Sequence, residues 1–159
     1  MFKTHRADWY FIIPASLVWL VALAATAMDF LRHWREGYHF GIVNWIGLAL
    51  MVAGVGIRVL ARRALHGRFS YALRLVKGHE LVQEGIYRYV RHPGYTGDLL
   101  FHFALTMALS SLRGFLVMLL LIPCFVYRMG LEERMLLERF GETYRQYMAR
   151  TKRLIPFIY

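Results

Sequence analysis

Two clusters of polar and aromatic side chains stand where apolar segments end, and their residue types suit a charged small molecule. The first cluster lies within His79–Tyr95, which reads HELVQEGIYRYVRHPGY, and the second comprises Arg128, Glu132 and Glu133. Guanidinium, imidazole, carboxylate and phenol groups supply donors and acceptors for a ligand that carries carboxylate, ammonium and hydroxyl groups. Arg128 and Glu132 are four residues apart, so they share one face of a predicted helix.

Each cluster taken alone also fits a plainer interpretation, in which arginine side chains snorkel from a membrane and an ion pair forms at its surface. Together the clusters favour a binding site, because both are predicted on the same side of the membrane. Gly85 and Pro93 also constrain the backbone of the first cluster.

The elements that must position these residues are apolar helices. The chain has 159 residues, of which 58% are hydrophobic and only 19% charged, which is too apolar for an ordinary soluble domain. Trp9–Leu31 and Gly41–Ala61 each contain a single charged residue near the end. Crossing a bilayer takes about 20 apolar residues, so both segments are predicted to be transmembrane helices.

The second half of the chain is predicted to add a helical hairpin and a surface helix. Tyr95–Leu112 and Gly114–Tyr127 would form the hairpin, with a kink at Pro123 in its second arm. Leu131–Arg150 has helical spacing of apolar residues and would form an amphipathic helix on the cytoplasmic surface, interrupted at Gly141. The predicted fold class is therefore an all-α integral membrane protein with about four transmembrane helices and a cytoplasmic C-terminal helix.

Charge predicts the orientation of the helices. Twenty Lys and Arg residues against ten Asp and Glu residues leave a net charge of +10, and the excess follows the second and fourth apolar segments. The positive-inside rule places both basic segments in the cytoplasm, and four crossings then place the N-terminus there too, although Arg32 and Arg35 oppose this. Charge at membrane edges orients helices and meets anionic lipid, so nucleic acid is not the predicted partner.

Other residues that could do chemistry are few. Cys124 is the single cysteine, so neither a disulfide nor a thiolate metal site is predicted. Asp98 and His102 share one face of the third predicted helix at membrane depth, where ionisable residues are often functional. They could equally form a structural pair, and two ligands do not make a metal site.

The first cluster resembles the core motif of the isoprenylcysteine carboxyl methyltransferase family. The motif H-x-L-V-x-x-G-x-Y-x-x-x-R-H-P-x-Y is formed here by His79, Leu81, Val82, Gly85, Tyr87, Arg91, His92, Pro93 and Tyr95. A second family signature is similar to Arg128, the pair Glu132–Glu133, and the run RFGETYRQYMARTKRLIPFI. The resemblance covers Arg58 to the C-terminus, and phospholipid N-methyltransferases share a related pattern.

The resemblance implies S-adenosylmethionine as cofactor, in a pocket that faces the cytosol. The residues it assigns to the cofactor are His79, Leu81, Val82, Tyr87, Arg91, His92, Pro93, Gly94 and Glu132. Arg128 and Glu132 are the expected catalytic residues, with Arg128 at the carboxylate of a hydrophobic or lipid-borne acceptor; Tyr95, Asp98 and His102 are further candidates for acceptor contacts. Residues 1–61 would form two N-terminal transmembrane helices, and residues 62–159 the cofactor-binding and catalytic core of one domain.

The reaction expected from the resemblance is attack by a carboxylate on a sulfonium methyl group. Opposite charges neutralise along the way, so a water-poor pocket helps and no general base is needed. A phospholipid amine as acceptor would need a base, for which Glu133 or His102 is available. A small thiol as acceptor, a sterol-reductase-like protein and a non-enzymatic membrane scaffold are the remaining alternatives.

Overall fold

Helices account for nearly all regular structure in the described part of the chain. The computed structural model describes residues 4–65, 81–156 and 158–159. Its helices are α1 (Thr4–Arg35), α2 (Ile42–Ala64), α3 (Pro93–Ala108), α4 (Leu112–Met118), α5 (Leu121–Phe140) and α6 (Glu142–Arg150). A short 3₁₀ turn, Gly85–Arg88, precedes α3. The predicted all-α class is confirmed for the described residues.

Three helical stretches of the described chain are long and apolar enough to cross a membrane. They are Trp9–Arg35, Ile42–Ala64 and Leu112–Phe140, the last spanning α4 and α5. Large apolar side chains of α1 and α2 point outward, as at Leu17 and Val52, which are 58% and 73% exposed. Such exposed apolar surface suits contact with lipid, so the chain is an integral membrane protein.

The second arm of the predicted hairpin differs from the expectation in two ways. The helix breaks at Leu119 and Leu120, before Pro123 rather than at it, and the N–H of Ile122 donates to the Leu119 carbonyl three residues back at 3.0 Å. Pro123 has no N–H to donate to that carbonyl, which favours a break one turn upstream. The helix that follows then continues well past the predicted end at Tyr127.

The predicted start of the surface helix Leu131–Arg150 is wrong. Its first half is the continuation of α5, and only α6 is a separate helix. The two helices are separated at Gly141, whose φ of +54° is a backbone conformation that glycine adopts far more readily than other residues. The predicted interruption at Gly141 is therefore correct, while the change from apolar to charged composition after Tyr127 does not end the helix.

Helices α2 and α3 pack with their backbones almost in contact. A Cβ atom built on Gly54 would lie 2.8 Å from the carbonyl oxygen of Gly97, and one built on Gly47 would lie 2.4 Å from the backbone nitrogen of Ala108. Small residues allow such close approach between membrane helices. This contact fixes α3, which carries Tyr95 at its first turn.

Replacing Gly54 by alanine is expected to destabilise the protein. The added methyl group would force α2 and α3 apart, and overpacking of this kind typically costs about 1–3 kcal/mol. Thermal unfolding in detergent should show a lower midpoint for Gly54→Ala. Gly56→Ala is the matched control on the same helix, because a Cβ at Gly56 has no neighbouring atom within 4 Å. Equal midpoints for the two variants would contradict the close contact.

The turn between α3 and α4 is tied to both N-terminal helices. Ser111 Oγ donates to Asp29 Oδ2 at 2.7 Å, and Arg113 Nε donates to Asp29 Oδ1 at 2.6 Å. Asn44 Nδ2 donates to the carbonyl of Ala108 at 2.9 Å. These bonds fix α1 and α2 at one end of the bundle, while the first turn of α3 lies at the other end.

Candidate functional site

The first turn of α3 and the middle of α5 bring the two sequence clusters into contact. The hydroxyl of Tyr95 donates to Glu132 Oε2 at 2.9 Å and accepts from Arg128 Nε at 3.3 Å. One phenol therefore bridges a cation and a carboxylate that are one helical turn apart. The bridge holds both charged groups toward the same space beside α3.

The Arg128 guanidinium lies over an aromatic ring, and the residue is only 5% exposed. Its Cζ atom lies 5.5 Å from the centre of the Phe11 ring on α1. The Phe11 and Tyr95 rings each meet the Phe125 ring edge to face, at 5.5 and 5.4 Å between centroids. A guanidinium in aromatic surroundings is poorly hydrated, and its attraction for an anion is stronger there than in water.

Glu132 and Glu133 are neighbours in sequence but face different partners. Successive residues point about 100° apart around a helix. The Glu132 side chain is 31% exposed, whereas that of Glu133 is 4% exposed. Glu132 therefore offers accessible carboxylate surface to a ligand, and Glu133 faces the protein interior.

Three side chains meet at the Glu133 carboxylate. Its Oε1 accepts from Arg91 Nε at 2.8 Å and lies 3.3 Å from His92 Nε2, while its Oε2 accepts from Arg153 Nη2 at 2.7 Å. Because two guanidiniums occupy this carboxylate, it is a poor candidate for a general base. The alternative in which Glu133 takes a proton from an amine acceptor is therefore disfavoured.

The segment after α6 runs beside the motif and completes this arrangement. The N–H of Arg91 donates to the Lys152 carbonyl at 2.8 Å, and the N–H of His92 donates to the Arg153 carbonyl at 3.0 Å. Val90 and Lys152 form an isolated parallel bridge. The hydrogen bond with Glu133 raises the pKa of the Arg153 guanidinium, so its charge is fixed.

The 3₁₀ turn of the motif is held by α6. Tyr147 Oη donates to the carbonyl of Tyr87 at 2.6 Å. Burial raises the pKa of Tyr147 to about 12 and raises the pKa of Tyr87 as well, so both phenols stay protonated. Tyr147 is thus a permanent donor that sets the position of the turn.

The N-terminus of α3 offers backbone donors beside these side chains. His92 is its N-cap residue and Pro93 its first residue, so the N–H groups of Gly94 and Tyr95 fall in the turn that has no intrahelical acceptors. A Cβ at Gly94 would have no neighbouring atom within 4 Å. Open space and N–H groups that have no acceptor within their own helix suit a carboxylate or another anion at a helix N-terminus.

Tyr144 of α6 carries a buried hydroxyl. Its side chain is 1% exposed, and its hydroxyl has no hydrogen-bond partner within the described part of the chain. Burial, and after it the nearby carboxylates of Glu133 and Glu132, raise the pKa of Tyr144, so its hydroxyl belongs to the same group of residues. Buried hydroxyls are normally hydrogen-bonded, so an orphaned one beside a charged cluster suits a site that receives a polar ligand.

Asp98 and His102 do not pair through their side chains as considered from the sequence. The Asp98 carboxylate forms an ion pair with Arg58 of α2. His102 Nδ1 lies 2.6 Å from the Asp98 carbonyl oxygen, which can only accept, so Nδ1 carries the proton. Both residues lie within about 60° of Tyr95 around α3, because each residue turns a helix by 100°.

The remaining predicted residues are placed as follows. Leu81 and Val82 are half-buried, and His79 lies outside the described residues. Phe11 and Arg153 carry no role predicted from sequence, and both lie far along the chain from their partners. A motif search has no signal for Phe11, and the only signal for Arg153 is its place in the second signature.

Comparisons with known proteins agree with one another. A family model described as phospholipid methyltransferase matches residues 42–143. A probable protein-S-isoprenylcysteine O-methyltransferase of Oryza sativa subsp. indica is 31% identical over 122 residues, which cover 75% of this chain and 64% of the relative. The protein-S-isoprenylcysteine O-methyltransferase of Homo sapiens is 28% identical over 154 residues, which cover 93% of this chain and 54% of that relative.

A solved structure is similar as well. It is the eukaryotic intramembrane Ras methyltransferase, isoprenylcysteine carboxyl methyltransferase, with a TM-score of 0.80 and 25% identity. The match covers 87% of this chain and 52% of that chain. The present chain thus spans between about half and two thirds of the length of these relatives.

Proposed function

We propose that this chain, which belongs to the phospholipid methyltransferase family, is a membrane methyltransferase that methylates a carboxylate on a hydrophobic or lipidated acceptor, with S-adenosylmethionine as donor. The observation that carries the proposal is the buried Arg128 guanidinium, which the Tyr95 hydroxyl links to Glu132. A fixed cation among aromatic rings, next to an accessible carboxylate, suits an anionic acceptor beside a cationic donor. The names of the relatives support the same chemistry.

The residues present fit S-adenosylmethionine. The accessible Glu132 carboxylate suits its ammonium group, and the N–H groups of Gly94 and Tyr95 at the start of α3 suit its carboxylate. When bound, the cofactor supplies an electrophilic methyl group on a sulfonium. We assign its contacts to the motif and to α5, through His79, Leu81, Val82, Tyr87, His92, Pro93, Gly94 and Glu132. Arg91 belongs to the same group but acts indirectly, because its guanidinium binds Glu133.

Catalysis by these residues is mainly positioning. Arg128 would hold the acceptor carboxylate with its N–H donors, in surroundings from which the aromatic rings exclude water. A carboxylate acceptor is already ionised, so no residue needs to remove a proton. This agrees with a site whose buried carboxylate, Glu133, is occupied by guanidiniums.

The proposed topology has four crossings, with the site at the cytoplasmic side. Helix α3, of 16 residues, would add a fourth crossing to the three long apolar stretches. The basic residues that follow α2 and α5 support a cytoplasmic position for the site and for α6. Residues 1–61 would then supply two membrane helices, and residues 62–159 the cofactor-binding and catalytic core.

An amine of a phospholipid is the second candidate acceptor, and one observation favours it. Because His102 Nδ1 donates to a carbonyl, the neutral ring presents Nε2 as a proton acceptor. His102 lies on the same flank of α3 as Tyr95, so it is the residue that would take the proton an amine must lose. The identity of the methylated acceptor, a carboxylate or an amine, therefore decides between the two candidate functions.

The deciding experiment identifies the acceptor that gains a labelled methyl group and the type of bond that holds it. Purified protein in lipid nanodiscs is incubated with methyl-labelled S-adenosylmethionine and either an S-prenylated N-acetylcysteine or phosphatidylethanolamine. A methyl ester is released by alkali, whereas an N-methyl group is not. Alkali-labile label on the prenylated cysteine is the expected result. Alkali-stable label on the phospholipid would replace it by the second candidate, and absence of label on both acceptors and on native lipid extract would overturn methyl transfer.

Removing only the Tyr95 hydroxyl should weaken the reaction without abolishing it. Tyr95→Phe keeps the ring that packs on Phe125 but deletes the bridge between Arg128 and Glu132. Hydrogen bonds to charged groups contribute about 1.5–3 kcal/mol, so kcat/KM should fall roughly tenfold or more. Tyr89→Phe is the matched control, since Tyr89 is 56% exposed. Unchanged kinetics in both variants would remove the bridge from the mechanism.

A further inference from the structure

We propose that Glu133 is a positioning residue for the methyl donor; this rests on the proposed function. It acts through His92 and through the segment after α6, without touching the reacting atoms. The geometry behind this is a single buried carboxylate that joins three distant parts of the chain. On α5 it accepts from Arg91 of the motif at 2.8 Å and from Arg153 at 2.7 Å.

The first consequence concerns the orientation of His92. A carboxylate only accepts hydrogen bonds, so His92 Nε2, at 3.3 Å from Glu133 Oε1, must carry a proton. The other nitrogen, Nδ1, then faces Glu132 Oε2 at 3.9 Å. The ring stacks on Tyr95 with centroids 5.6 Å apart. Glu133 therefore determines which nitrogen of His92 faces the proposed donor-binding carboxylate.

The second consequence concerns the segment that follows α6. Arg153 binds Glu133 with its side chain, and its carbonyl accepts from the N–H of His92. Arg91 also donates to the Met148 carbonyl at 3.1 Å and to the carbonyl of Thr151. The Glu133 carboxylate thus offsets the positive charges of Arg91 and Arg153, the two guanidiniums that hold this segment against the motif. Without it, two like charges would face each other at the edge of the donor site.

The test is donor binding by the Glu133→Gln variant. The amide has the same shape but is neutral, and its NH₂ group meets the N–H donors of Arg91 and Arg153. Titration calorimetry in detergent should show a dissociation constant for S-adenosylmethionine that is roughly tenfold higher or more. The KM of the acceptor should stay close to that of the wild type. Glu138→Gln, an exposed position on the same helix, is the matched control.

Two readouts separate positioning from a merely structural role. The first is the split between the KM values of donor and acceptor, since general destabilisation has no reason to affect the donor alone. The second is nitrogen NMR of labelled histidine, in which the proton on His92 Nε2 should be present in the wild type and the signals should shift in Glu133→Gln. A lower unfolding midpoint with an unchanged donor dissociation constant would overturn the proposal.

Arg153→Gln decides the question if Glu133→Gln does not fold. This variant keeps the carboxylate with Arg91 and His92 and loosens only the segment after α6. Arg153→Gln should raise the donor dissociation constant, but less than the loss of Glu133 would. A dissociation constant equal to that of the wild type would overturn the proposed link between this segment and donor binding. Calorimetry needs no acceptor, so a wild-type protein that binds no S-adenosylmethionine would instead defeat the proposed function itself.

Discussion

Arg128→Ala should abolish methyl transfer while the protein remains folded. The guanidinium is the buried cation that bonds to Tyr95, and its loss removes the group proposed to hold the acceptor carboxylate. Losing one preorganised donor to a reacting anion typically lowers turnover about 10²–10³-fold. Product formation with saturating donor and acceptor is the measurement, with calorimetry to show that donor binding survives.

Two control variants sharpen this result. Arg128→Lys keeps the charge but loses the planar fork that binds a carboxylate with two parallel bonds, so its activity should lie between wild type and Arg128→Ala. Arg134→Ala removes an exposed arginine from the same helix and should behave as wild type. Full activity in Arg128→Ala would exclude this residue from the mechanism.

Glu132→Gln should lose most of its activity for a different reason. The amide can still accept from Tyr95, so the variant removes the negative charge with little change in shape. If that charge binds the ammonium group of the donor, kcat/KM for the donor should fall on the order of a hundredfold. The expected pattern is a large increase in the donor dissociation constant measured by calorimetry.

The contrast with Arg128 provides the check. Arg128→Ala should impair the use of the acceptor, whereas Glu132→Gln should impair the binding of the donor. Glu138→Gln again serves as the control for an exposed carboxylate on the same helix. Unaltered donor affinity in Glu132→Gln would mean that the charge serves another purpose, and the assignment of Glu132 to the donor would be wrong.

Length and composition were sufficient to predict the two N-terminal helices, and the motifs were sufficient to predict the family. Composition could not predict where α5 ends. The run after Tyr127 is charged, which indicates departure from the membrane, but a helix can leave the membrane without ending. The left-handed φ at Gly141 ends it instead. The helix breaks before Pro123 because proline has no N–H to donate. The carbonyl that loses this donor lies one turn upstream of the proline itself.

The division of roles within Glu132–Glu133 needed the structure. The sequence shows two adjacent glutamates and no reason to separate them, because the partners of Glu133 lie 42 positions before it and 20 after it. The same applies to Phe11, whose contact with Arg128 depends on how α1 packs against α5. Asp98 is conspicuous in the sequence because it is ionisable in an apolar segment, but its partner Arg58 comes from another helix.

The glycine contact between α2 and α3 also restricts how the proposed hydrophobic acceptor can reach the site. The backbone at Gly54 and Gly97 is so close that an added methyl carbon would overlap the neighbouring helix. A prenyl or acyl chain is wider than a methyl group and has no passage through that seam. A lipid tail that approaches from the bilayer must therefore enter along a different side of α3.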